Sequence, residues 1–264
     1  MRLRAALRIA LCICGAVVIA SCATQDRRAI AAEDAKATLQ VAHEQFTPAL
    51  RLARAARANG DLASAINLYL SVVAIKPANP SIVVELGDTL VDAGSMDDAI
   101  DVYSKVDQSS PAWLGALLGL QQAYLKLGES EKALRYSEQA TLLAPLDQRV
   151  LIGRGVTLDL LGRHTQAQAS YRAVLAGAPH DIAARNNLAL SLALTDQFAD
   201  AIEIMTSMAR SSTATPRIRQ NLALIYGLAG DVPHAGALSR VDLDASTTAG
   251  NLRFFEMARN ADPP

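Results

Sequence analysis

Hydrophobic residues along this chain fall in short stripes spaced three and four apart. Leu86, Leu90 and Val91 lie along one stripe, and Ile100, Tyr103 and Val106 along another. That spacing gathers apolar side chains on one face of an amphipathic helix. The breaks between stripes keep a fixed period. Pro77, Pro111, Pro145 and Pro179 stand 34 residues apart, as do Gly60, Gly94, Gly128 and Gly162; Gly230 holds the same register and Asp196 takes the slot between. Ala65, Ala99, Ala133, Ala167, Ala201 and Ala235 follow the grid without a gap, and Tyr69, Tyr103 and Tyr171 share one position in it. A period of this length, kept by several residue types, predicts an array of supersecondary units, each too small to bury its own apolar face.

Each mark on the grid has a mechanical reading. The glycine ends the first helix of a unit and supplies the positive φ its turn needs. The alanine sits where two helices cross closely, and the tyrosine fills the space around it. The proline ends the second helix, because it lacks an N–H and clashes with the preceding turn. Ser95 and Asp98 read as a capping box opening one second helix.

These features resemble the tetratricopeptide repeat (TPR) family over residues 46–249, with repeats beginning near 46, 80, 114, 148, 182 and 216. The family's small-residue slot holds Ala53, Gly87, Gly155, Ala189 and Ala223, and repeat three departs from it with Gln121. Repeat five has Thr213 and repeat six Thr247 where the proline would stand. The resemblance implies an all-α fold: a right-handed superhelical solenoid of about six helix-turn-helix repeats, closed by a capping helix and tail over 250–264. Residues 246–259, with Phe254, Phe255 and Met257, read as that final helix.

The N-terminus reads as an address. Arg2, Arg4 and Arg8 precede an apolar run from Ile9 to Ala20, too short for a membrane-spanning helix of roughly 20 apolar residues and suited to a secretory signal. Ile19-Ala20-Ser21-Cys22 resembles a bacterial lipobox, which implies a lipoprotein signal over 1–21 and a diacylglycerol on Cys22. Cys12 and Cys14 follow Leu11 and Ile13 and lack the small residue before the cut. The alternative is an ordinary signal cut after Ala20, with Cys22 incidental. Residues 22–45 are expected to form a tether, with a short leading helix over 33–45. More than one acyl chain would hold the protein stably on a membrane. Ala23, in place of the aspartate of an inner-membrane retention signal, implies by the same resemblance an outer-membrane anchor facing the periplasm.

Composition narrows the function. Aromatic residues are only 4% of the 264, few for an all-β fold. The formal charge is −1, and loss of Arg2, Arg4 and Arg8 with the signal leaves 22 basic against 26 acidic residues. A mildly acidic chain without a basic run is a poor nucleic-acid binder. The three cysteines all lie within the first 22 residues, and His43, His164, His180 and His234 form no ligand pair at short spacing, so no metal site is expected. The sequence holds no phosphate-cradling loop, no His-Glu-x-x-His and no Gly-x-Ser-x-Gly. Asp97 and Asp98 read as charge at a helix N-terminus. The expectation is a protein-binding scaffold with no catalytic residues, no cofactor and no small-molecule substrate.

In TPR proteins the first helix of each repeat lines a concave face. Carried onto this sequence, that face receives Arg51, Arg54 and Arg57 from repeat one, and Glu85, Asp88 and Asp92 from repeat two. Leu118, Leu125, Ile152, Val156, Leu160, Leu190 and Leu194 follow, then Asn186, Asn187, Arg217, Gln220 and Asn221. Asn187 and Asn221 fall where TPR grooves bond a peptide backbone. An apolar centre with charged ends suits an amphipathic partner segment.

The stretch Arg217-Ile218-Arg219-Gln220-Asn221-Leu222-Ala223-Leu224-Ile225-Tyr226-Gly227-Leu228-Ala229-Gly230-Asp231, and the ending Asp242-Leu243-Asp244 followed by Asn251-Leu252-Arg253-Phe254-Phe255, resemble TadD-type lipoproteins of tight-adherence (Flp) pilus systems. That resemblance is specific in the last 50 residues. It implies a role in pilus assembly and secretion, with the secretin channel as partner. The rival expectation is a general envelope adaptor, serving outer-membrane protein assembly or protease delivery.

Overall fold

The computed structural model describes residues 48–74, 79–212 and 214–260. Cys22, the signal span, the tether and leading helix, Pro77 and Thr213 lie outside them. Among the described residues the regular elements are all helices, so the all-α class expected from the grid is the fold observed.

The chain divides into two compact units, Met1–Asn79 and Pro80–Pro264. In the first, α1 (48–58) is followed by α2 (Leu62–Val73). Gly60 turns the chain between them at φ +80°. Asp61 caps α2 by accepting a hydrogen bond from the Ser64 N–H at 3.1 Å. Ala53, Ala65, Tyr69 and Val72 are buried.

The second unit holds five helix pairs and a closing helix. The pairs are α3 (Pro80–Asp92) with α4 (Met96–Tyr103), α5 (Trp113–Lys126) with α6 (Ser130–Leu143), α7 (Gln148–Leu160) with α8 (His164–Gly177), α9 (Ile182–Ala193) with α10 (Phe198–Ala209), and α11 (Pro216–Leu228) with α12 (Val232–Asp242); α13 (Ala245–Asn260) follows. Each second helix packs on its own first helix, and α4, α6, α8 and α10 also pack on the first helix of the next pair. The first helices α3, α5, α7, α9 and α11 touch one another in succession and so form a continuous layer. The grid alanines Ala99, Ala133, Ala167, Ala201 and Ala235 are completely buried, because the crossing helices leave no room for a longer side chain at that slot.

The turn slot is filled as its φ requires. Gly94, Gly128, Gly162 and Gly230 adopt φ of +83°, +76°, +71° and +87°, and Asp196 adopts +58°. Aspartate tolerates this left-handed region better than most residues but still bears a steric cost that glycine lacks. Asp196→Gly is therefore expected to stabilise the protein by up to roughly 1 kcal/mol, read as a raised midpoint in thermal unfolding followed by circular dichroism.

Two details depart from the sequence reading. Ser95 is the N-cap of α4, yet its hydroxyl makes no cap bond; Asp97 and Asp98 in the first turn complement the helix dipole instead. The closing helix starts at Ala245, inside the span the grid gives to repeat six. Asp244 sets that start by accepting from the Thr247 N–H at 2.9 Å and the Thr247 hydroxyl at 2.8 Å. Phe255 on α13 is buried against Gly227 of α11, whereas Phe254 and Met257 stay exposed.

Gln121, the departure from the small-residue slot, is buried and spans two repeats. Its Nε2 donates to the Thr157 hydroxyl at 2.8 Å, and that hydroxyl donates to the Gly153 carbonyl at 2.9 Å. Gly153 makes the room: a Cβ there would lie 2.9 Å from the Gln121 amide.

Candidate functional site

The layer of first helices in the second unit carries most of the residues assigned to a groove, and burial sorts them. Ile152 packs on the buried cluster of Leu151, Val174 and Ala184, Leu118 on that of Leu117, Ala140 and Val150, and Leu190 on the larger core around Leu188 and Met205. These three side chains belong in part to the packing between repeats. Val156 and Leu125 are half-buried. Leu160, the last residue of α7, and Leu194, the C-cap of α9, share one grid slot and are 60% and 58% exposed. A leucine held open at the same register in neighbouring repeats leaves apolar area facing solvent.

The same layer of first helices carries a chain of amides. Asn221 Nδ2 donates to Asn186 Oδ1 at 2.7 Å, and Asn186 Nδ2 donates to Asn187 Oδ1 at 3.1 Å. Asn186 is 9% exposed and locks the other two in place. The link orders the amides so that, among the described residues, Asn187 Nδ2 and Asn221 Oδ1 remain as a donor and an acceptor, the pair a peptide unit requires.

The other assigned residues lie elsewhere. Arg217 is exposed at the start of α11. Gln220 turns to α12, where its Nε2 donates to Asp242 Oδ2 at 3.2 Å, and its buried Oε1 has no partner among the described residues. Glu85 and Asp88 on α3 are half-buried and Asp92 is exposed; Asp88 accepts from the Tyr103 hydroxyl at 2.6 Å. In the first unit, Arg51 and Arg54 on α1 are exposed and Arg57 is half-buried.

Two polar features escaped the sequence reading. Asp159 on α7 accepts from the Tyr171 hydroxyl at 2.9 Å and the Ser191 hydroxyl at 2.7 Å, and meets His164 Nδ1 at 2.8 Å. Burial, reinforced by the Asp159 charge, pushes the Tyr171 phenol far above its usual range, so it stays protonated and donates. The other is an ion pair on α11 and α12: Arg219 Nε donates to Asp242 Oδ2 at 2.9 Å, its Nη2 to Oδ1, and its Nη1 to the Ala214 carbonyl at 3.3 Å. The Arg219 hydrogen bonds hold the Asp242 carboxyl below the usual carboxylate range. The grid contained the signal for this pair, since Arg185 and Arg219 occupy the same slot in successive repeats.

The tetratricopeptide repeat profile matches residues 50–112, 118–182 and 161–215, more than half of the chain. The protein is a tetratricopeptide repeat protein. Its TPR fold is shared by a tetratricopeptide repeat protein of Parabacteroides merdae, with a TM-score of 0.66 and 18% identity over 82% of this chain and 87% of that one. A thermophilic TPR protein of Thermus thermophilus superimposes with a TM-score of 0.59 and 22% identity over 68% of this chain and 98% of that one. Among curated proteins, the cellulose synthase 2 operon protein C of Komagataeibacter xylinus is 27% identical over 216 residues, which are 79% of this chain and 15% of that protein. The TPR chain thus spans only a small part of that relative's length.

Proposed function

We propose that this TPR protein is a membrane-anchored scaffold lipoprotein of tight-adherence pilus assembly. It holds a segment of the pilus secretin in the groove of its first helices while the channel assembles or is localised. The observation that carries the groove is the open leucine pair, Leu160 and Leu194, on the layer of first helices that also carries the ordered amides of Asn187 and Asn221. Apolar side chains of a partner would cover the leucines, and its backbone would meet the amide donor and acceptor. A lipid on Cys22 would fix the scaffold to the outer membrane, facing the periplasm, and raise its effective concentration near other membrane proteins. The lipobox and the C-terminal resemblance to TadD-type lipoproteins support this role.

The test is an immunoblot for heat-resistant secretin multimers in four strains: wild type, a deletion, Cys22→Ala, and Leu160→Asp/Leu194→Asp. The expected result is loss of multimers in the deletion, loss or mislocalisation with Cys22→Ala, and at least a tenfold reduction with the leucine pair changed. Both leucines are more than half exposed, so their replacement leaves the fold intact. Normal multimers in the deletion would sink the pilus reading and favour a general envelope adaptor. Loss in the deletion but not in the leucine variant would keep the role and remove the groove.

A further inference from the structure

In repeats three to five the 34-residue grid brings the same three slots together, one from a first helix, one from the following second helix and one from the next first helix. In repeat three they are Leu117, Ala140 and Val150, which form a buried apolar cluster. In repeat four they are Leu151, Val174 and Ala184, again a buried apolar cluster. In repeat six the first two slots hold Arg219 and Asp242, joined by paired charge-assisted hydrogen bonds. Each of these repeats seals the position by itself, by burying apolar surface or by matching a guanidinium with a carboxylate.

Repeat five buries two of the three slots in the core, Met208 and Ile218, but leaves the first polar and without a matching carboxylate. Its three slots are Arg185, Met208 and Ile218, so the guanidinium of repeat six returns without its carboxylate. These residues, with His180, Ile182 and Ser211, line a cavity of about 210 Å3. Arg185 is half-buried, and among the described residues its one hydrogen bond is a long one, from Nη2 to the Ile204 carbonyl at 3.4 Å. Among the described residues no acidic side chain lines the cavity. The carboxylate adjacent in sequence, Asp181, is engaged as the cap of α9, accepting from the Ala184 N–H at 2.7 Å.

We infer that this cavity is a binding site for a carboxylate carried on a short apolar group. The ligand's carboxylate takes at Arg185 the place that Asp242 takes at Arg219. Arginine binds carboxylates through two parallel N–H donors, and a partly desolvated guanidinium gains most from such a partner. Ile182, Met208 and Ile218 supply apolar wall for the attached group, and His180 adds a second nitrogen donor or acceptor at the rim. The carboxyl end of a polypeptide with an aliphatic last residue and a free branched-chain acid share this chemistry.

Calorimetric titration of the full chain tests the site with three probes: an acetylated pentapeptide ending in leucine with a free carboxylate, the same peptide as its amide, and 4-methylpentanoate. The free-acid peptide is expected to bind at least tenfold more tightly than the amide. Arg185→Leu should weaken the free acid at least tenfold while helicity and thermal midpoint are kept, because leucine fills this slot in repeats three and four. Met208→Asp should also abolish binding by supplying the carboxylate from within. If 4-methylpentanoate matches the peptide, the ligand is a small acid; if the peptide is at least tenfold tighter, it is a polypeptide end. Equal binding of acid and amide, unchanged binding by Arg185→Leu, or no binding by either free acid would overturn the site.

Discussion

Gly119→Ala is expected to destabilise the protein by about 3 kcal/mol, the upper part of the usual range for overpacking. The Tyr103 ring is completely buried between α3 and α5. A Cβ on Gly119 would lie 2.2 Å from Tyr103 Cζ, and one on Gly87, from the other helix, 2.4 Å from Cε1. The ring cannot yield to one side without meeting the other, and its hydroxyl is held by Asp88 at 2.6 Å. Either α5 must move away from α4 or the tyrosine must leave the core. In a repeat array such a break is local, so circular dichroism should show a low-temperature loss of part of the helix signal. Tyr103→Leu in the Gly119→Ala background should recover part of the loss, whereas Tyr103→Phe, which keeps the ring, should not. Gly250 lies within α13 with nothing inside 4 Å of its Cβ position. Gly250→Ala should therefore stabilise by roughly 0.5–1 kcal/mol, the helix-propensity difference alone. The same substitution with opposite signs at the two positions would locate the effect in the packing.

Asp159→Ala should cost a similar amount, about 3 kcal/mol, through a different mechanism. Asp159 joins three helices, accepting from Tyr171 on α8 and Ser191 on α9 while it sits on α7. Both donors are buried, at 1% and 0% exposure. Without the carboxylate each hydroxyl lies away from water with its main acceptor gone, and an unmet buried donor costs about 1–3 kcal/mol. Urea unfolding of Asp159→Ala, Tyr171→Phe and the double variant measures the coupling. Tyr171→Phe should cost much less in the alanine background than in the wild type, because the phenol then has no partner to lose. Additive losses would show that Asp159 acts through something other than this bond.

Both effects concern the joints between helices, where sequence reading was weakest. The helices themselves were legible. Five of the six turn slots are glycine, and the sixth, Asp196, adopts the same positive φ. The alanine grid marked the crossings, all buried. Ser95 looked like a capping residue and sits at the N-cap without making the bond, because residue type gives the capacity for a cap and side-chain geometry decides its use. Gln121 read as a lapse in the repeat. It is a polar bridge with its own compensating residue, Gly153, and that compensation lies 32 residues away on another helix.

The groove divides in the same way. The family pattern put Asn187 and Asn221 on neighbouring first helices at one register. It put Asn186 on the same face too, but did not contain the two hydrogen bonds by which the Asn186 amide links them. It put Leu160, Leu194, Ile152 and Leu190 on one list, and the structure separates the first two, which are open, from the others, which help pack the repeats.

The sequence by itself determined the helix pairs, their turns and their period, since these rest on backbone preference and on apolar spacing within a dozen or so residues. Tertiary structure alone decided which side chains are spent on stacking and which stay available. That depends on where residues from successive repeats meet, as Arg219 meets Asp242 and Arg185 meets Met208 instead. The period brings those slots together, but whether a given pair seals or leaves a cavity is set by side-chain size and charge across the joint.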